Sequence, residues 1–303
     1  MNGRKIVAAI TLVLFLAGLG ISCSGPSSAP SLHMPVAMKS GAVLGKSAPE
    51  VESALRRDYP DEFPGLNKVE ARETTQGLLG EFSRFDLKGE NDHLIGSVSV
   101  CLPSGELNSV MYAPQSDDQV MANRIETTQD AQQVARDFIA RWGFELSNEY
   151  VLTEENQEGD QYRLQWQRQY GEAFLCESFY VELNAQGRIG MAMFPRSDAP
   201  LPQSRDELEP NISRGQALEL AKEQFPPTAA GSESSTGMEL AEEQATLLYQ
   251  PMGPTTEPRL LWSIEILYQF HPGGNGFNGL DHRGATIMID AKSGAVLSID
   301  YCM

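Results

Sequence analysis

What most constrains this chain is a strand, turn and strand that it uses three times. From Ser178 to Phe194, apolar residues alternate with polar ones, Asn184 leads into Gly187, and a second alternating run follows. The pattern returns from Gly284 to Asp300, with Asp290 and Gly294 in the turn. A rougher copy runs from Gly96 to Tyr112, with Pro103 and Gly105. A period of two puts the apolar residues on one face of a strand. Glycine takes positive φ without a steric cost, which a tight hairpin needs.

Each hairpin is preceded by a helix signal. Ser47 with Glu50 and Ser213 with Gln216 have the capping-box form, and Thr127 with Asp130 is a near relative. Behind the caps come apolar residues at helical spacing: Val51, Ala54 and Leu55; Ala131, Ala135, Phe138 and Ile139; Ala217, Leu218 and Ala221. The first helix is stopped by Pro60 and the third by Pro226 and Pro227. Between helix and hairpin lie further alternating runs, from Tyr162 to Arg168 and from Leu260 to Ile266, which superpose Trp166 on Trp262. The spacing predicts an α+β chain of three units over 47–113, 127–196 and 211–301, each one helix and about four antiparallel strands. Pro114 to Asp118 and Pro195 to Pro210 read as polar linkers, and the third unit carries extra loops near 228–239 and 271–283.

The third unit resembles a PepSY-type domain in three places. These are the helix from Ile212 to Lys222, the Trp-containing strand from Leu260 to Ile266, and the hairpin from Ile287 to Leu297, with Ser293 where Thr is usual. The second unit matches at its hairpin, Asn184 to Gly187, and the first in outline. The resemblance implies tandem cystatin-like units, each a curved sheet around a helix. It also implies a role in inhibiting, escorting or localising proteins outside the cytoplasm, and it brings no catalytic residues with it.

The N-terminus gives an address. Arg4 and Lys5 precede an uncharged run from Ile6 to Ile21, then Ser22 and Cys23. A basic start, an apolar middle and a small residue make residues 1–22 a signal peptide. A spanning helix needs about 20 apolar residues, so a retained anchor is the weaker alternative. The stretch from Leu19 to Cys23 resembles a bacterial lipobox, although Gly20 stands where leucine is usual. That resemblance implies lipidation of Cys23 and a palmitate-type anchor in the cell envelope, with plain secretion as the alternative. Residues 23–46, rich in Ser, Pro, Gly and Ala, read as a flexible tether; His33 and Met34 lie within it, without partners for a metal.

The formal net charge is −18, and losing Arg4 and Lys5 makes it more negative. This argues against nucleic acid and against electrostatic adhesion to anionic membranes. Cys101, Cys176 and Cys302 form no CxxC, so neither a zinc cage nor a dithiol redox motif is expected. Cys101 and Cys176 read as buried strand residues; one disulfide among the three is open, with no pairing assigned.

Little else points to catalysis, and no cofactor is expected. His93, at Asn91-Asp92, reads as a turn residue. His271, Asp281 and His282 bracket a Gly-rich stretch and could ligate a metal, but a mobile hairpin loop explains them more simply. Acid pairs Glu154–Glu155 and Glu242–Glu243 read as solvated, and Trp142, Trp166 and Trp262 as core. Asn211 to Ser213 fits a glycosylation sequon, but Ser213 is better used as a cap. The favoured expectation is a non-enzymatic extracytoplasmic lipoprotein that binds a protein partner, such as a secreted or envelope peptidase, with sheet edges open to strand addition. A structural spacer is the alternative, and a metal-dependent hydrolase using the 271–282 loop is the least supported.

Overall fold

The structure, a computed structural model, describes residue 35 and residues 41–77, 80–113, 125–225, 239–253, 256–270 and 281–302. Three helices begin where the caps predicted: α1 (Ala48–Asp58), α2 (Thr128–Arg141) and α3 (Arg214–Gln224). In α2, the Asp130 N–H donates to Thr127 Oγ1 at 3.1 Å, and the Thr127 N–H donates to Asp130 Oδ2 at 3.0 Å. In α3, the same exchange joins Ser213 and Gln216 at 3.3 and 2.9 Å. Glu50 Oε2 accepts from the Ser47 N–H at 3.0 Å and the Lys46 N–H at 2.9 Å. Each cap satisfies amide groups that the first helical turn leaves unpaired.

Four strands follow each helix. They are β1 (Lys68–Gly77), β2 (Gly80–Lys88), β3 (Leu94–Cys101) and β4 (Leu107–Tyr112) after α1. After α2 come β5 (Tyr150–Glu158), β6 (Gln161–Tyr170), β7 (Ala173–Asn184) and β8 (Ile189–Met193). After α3 come β9 (Glu239–Gln250), β10 (Arg259–Phe270), β11 (Asp281–Asp290) and β12 (Val296–Cys302). The closing turns are alike: Gly105, Gly187 and Gly294 have φ of 74°, 73° and 77°. Asn184 Oδ1 accepts from the Gln186 and Arg188 N–H groups, and Asp290 Oδ1 from those of Lys292 and Ser293.

The molecule is mixed α+β, with one twelve-stranded sheet running β1-β2-β3-β4-β8-β7-β9-β10-β11-β12 and β5–β6 branching from β7. Within each group the strands pair antiparallel. Between groups, β4 pairs antiparallel with β8 (Val110 opposite Ala192), and β7 pairs parallel with β9 (Phe174 opposite Leu248). Thus one side of β7 has two neighbours: Tyr180 to Leu183 meet β8, while Ala173 to Leu175 meet β9.

Among the described residues the cores number two rather than one per unit. Leu55, Phe85 and Val98 from the first group share a core with Phe138, Trp142, Trp166 and Phe179 from the second. A second core holds Ala217, Ala221, Trp262, Ile264, Ile287 and Ile289. All three tryptophans are therefore buried, as their place in the helix and strand patterns predicted.

Two segments expected to be solvated are packed instead. The tether expected over 23–46 gives way to ordered chain at 41–46: Ala42 and Leu44 are buried, and Leu44 N–H donates to the Gly105 carbonyl at 2.9 Å. Burying those apolar side chains against the first hairpin offsets the entropy of ordering the segment. The linker expected over 195–210 likewise lies on the sheet, with Arg196, Ala199 and Leu208 buried. Arg196 forms two bonds to Asp198 at 2.6 Å, and Ser197 Oγ donates to Glu106 Oε1 at 2.5 Å. Residues 114–118, most of 228–239 and residues 271–280 lie outside the described residues. Among the described residues, no helix is long and apolar enough to cross a membrane.

Candidate functional site

A cleft of about 520 Å³ opens where the first two groups meet. Its apolar lining comes from Tyr112 at the end of β4, Phe138 on α2 and Ile189 at the start of β8. Charges of both signs rim it: Asp61 and Glu62, Arg141, Glu182 and Arg188. Gly187 and Gly190 leave backbone open on the β8 side.

One wall is the loop that follows α1, and it is bolted to both groups. The Phe63 ring stacks on Tyr112, with centroids 5.0 Å apart. Tyr112 Oη donates to Glu62 Oε2 at 2.6 Å, and Arg141 Nε meets Glu62 Oε1 at 2.8 Å. The Arg141 guanidinium also lies over the Phe138 ring at 5.4 Å. Burial, reinforced by the Glu62 carboxylate, pushes the Tyr112 phenol well above its ordinary value. Tyr112 thus keeps its proton in the hydrogen bond to Glu62. The lining offers donors, acceptors and apolar surface in a preformed shape, which suits binding more than proton transfer.

A second polar cluster sits at the joint with the third group. Arg168 on β6 and Glu177 on β7 are 4% and 1% exposed, so this ion pair is inside the protein. Arg168 donates from NH1 to Glu177 Oε2 at 2.7 Å and from Nε to Glu149 Oε2 at 2.8 Å. The pair lies where β6 and β7 slip register, between Gln167–Ser178 and Gln169–Phe174. Gln167 Nε2 donates to the Leu175 carbonyl at 3.1 Å, satisfying a group that the irregularity frees.

The residues singled out from the sequence are scattered. Cys23, His33, Met34 and His271 lie outside the described residues. Asp281 and His282 sit in β11, in register with Phe270 and Gln269. Among the described residues no group of three or more His, Cys, Asp or Glu side chains could hold a metal. His93 is exposed, directly after the turn in which Asn91 and Asp92 have positive φ. Cys101 is buried, Cys176 half-buried, and neither is in a disulfide; burial pushes both thiols up to about 12. Neither is a thiolate nucleophile at neutral pH. Glu154 and Glu155 belong to β5, and Glu154 is buried rather than solvated. Glu243 pairs with Lys222 at 2.8 Å, and Asn211 Nδ2 donates to the Lys292 carbonyl at 3.2 Å.

The cleft itself was not anticipated. Glu62, Tyr112 and Arg141 converge from widely separated segments, and no periodicity or motif links such distances. The trace left in the sequence is an acidic, aromatic-rich stretch, Tyr59 to Phe63, just past the end of α1.

No protein-family model matches the chain, and no curated protein does. Among solved structures it is similar to the Bacillus megaterium YpeB C-terminal domain, at 13% identity and a TM-score of 0.41. The match covers 85% of this chain and 99% of that one. A likeness at that level carries no argument about what this chain does.

Proposed function

We propose that this protein is a non-catalytic, PepSY-type lipoprotein of the cell envelope that binds other proteins. In this reading the cleft between the first two groups takes an extended segment of a secreted or envelope peptidase, which is thereby inhibited, escorted or held in place. The observation that carries it is the cleft's construction. An apolar floor of Tyr112, Phe138 and Ile189 accepts side chains, while a rim of both charges and open glycine backbone accepts a peptide's polar groups. Its wall is fixed in advance by the Phe63–Tyr112 stack and the contacts of Glu62, which lowers the ordering cost of binding.

Gly190 provides the test. Gly190 lines the cleft and a Cβ there meets nothing nearer than the Glu182 carbonyl at 3.9 Å, so Gly190→Trp adds bulk at the cleft wall without a clash at its Cβ. The wild type is expected to bind a peptidase from envelope extract and lower its activity, and Gly190→Trp to lose at least tenfold in affinity at an unchanged melting temperature. Equal binding by the variant would reject the cleft; no protein partner and no effect on peptidase activity would reject the function. The anchor is tested separately: Cys23→Ala should move the protein from the membrane to the soluble fraction, whereas retention would favour an uncleaved N-terminal helix.

A further inference from the structure

Among the described residues the sheet has three terminal strands, and they are not alike. β1 carries Lys68, Glu70, Arg72 and Glu73, and β5 carries Glu154, Glu155 and Glu158. Charges on an edge strand deter pairing with another chain. β12 has a single charge, Asp300, beside Leu297 and Tyr301, which are 36% and 64% exposed. Val296 and Ile299 pack on the third group's core, and the Tyr301 ring lies 5.7 Å from Phe225. The irregularity against β11 is confined to the start of the strand, and pairing is regular from Ser298 to Cys302.

We propose that β12 pairs antiparallel with β12 of a second copy about a two-fold axis at Ile299, so that the sheet continues from one molecule into the next. This surface is separate from the cleft and the inference does not rest on the function proposed for it. Sequence self-complementarity selects the partner. A two-fold interface presents the same patch to itself. With the axis at Ile299, that residue faces its own mate and Ser298 faces Asp300, while Leu297, the residue that the β11 register skips, comes opposite Tyr301. Each opposed pair is then apolar with apolar, or hydroxyl with carboxylate. An axis at Asp300 would set two carboxylates against each other, and one at Ser298 would set Val296 against Asp300. The molecule already joins its own groups this way, at β4–β8.

The test uses the mature chain with Cys23→Ala, followed by sedimentation velocity. A dimer is expected, and Tyr301→Asp should raise its dissociation constant at least tenfold while the far-ultraviolet circular dichroism of the folded chain stays unchanged. In a Cys302→Ser background, Leu297→Cys with Tyr301→Cys should give a disulfide-linked dimer on oxidation, whereas Ser298→Cys with Tyr301→Cys should not. A monomer at all concentrations, a dimer indifferent to Tyr301→Asp, or equal crosslinking by both double variants would overturn the proposal.

Discussion

At the scale of residues, the chain repeats the same local solution with different side chains, and this makes its turn chemistry predictable. Asn184 and Asp290 hold corresponding hairpins, each Oδ1 accepting from the N–H two residues on and from a second one in the turn, that of Arg188 or of Ser293. Burial pushes the Asp290 carboxyl up, but bonds from Ser293 and Lys292, aided by Arg259, outweigh this and hold it below its ordinary value. A lowered folded value stabilises the protein above the ordinary carboxylate range, and that stability fades as pH falls below about 4. Asp290→Asn keeps the acceptor that Asn184 already supplies and removes the titration. Its unfolding free energy from urea titration should match the wild type at pH 7 within about 1 kcal/mol, with a shallower acid limb below pH 4. Gly294 is more demanding: φ is 77°, and a Cβ would meet Ile212 Cδ1 at 2.5 Å. Gly171 has φ of 61° with open space around it. Gly171→Ala should cost about 1–2 kcal/mol in thermal unfolding, and Gly294→Ala more. These features were legible because caps and turns are decided within four or five residues.

At the scale of elements, what the sequence concealed is how the strand groups join. Burial alternates without a break from Ala173 to Asn184, so β7 reads plainly as a strand. Alternation tells which face is buried but says nothing of which strand lies alongside, and β7 has different neighbours along its two halves. The Arg168–Glu177 pair fills the irregularity beside that change of partner. Glu177→Leu takes the buried carboxylate from Arg168 and leaves it the half-exposed Glu149, so it should destabilise the protein by up to about 3 kcal/mol. Adding Arg168→Met should restore most of the loss, as measured by chemical denaturation. A double variant as unstable as the single one would show that the cluster holds the joint in some other way.

At the scale of the molecule, the repeat was readable and its grouping was not. Three capped helices and three glycine hairpins announce three units, yet the first two share one core, and the core of the third takes in Ala173 and Leu175 from β7. The aromatic contacts that fuse the first two, such as Tyr59 stacked on Trp142 at 4.4 Å, join side chains far apart in sequence. Cooperative opening follows cores rather than repeats. Amide exchange should therefore report one opening free energy across β2, β3, β6 and β7, and a distinct one across β10 and β11. Fusion of the first two groups also creates the cleft, whose walls come from both. The most direct test of that cleft as a protein-binding site is a photo-reactive phenylalanine placed at position 190 and irradiated in envelope extract. The account predicts that peptides of one protein partner crosslink at position 190, and not when the same group stands at Gly171. Crosslinks that are absent at position 190, or equal at the two positions, would contradict it.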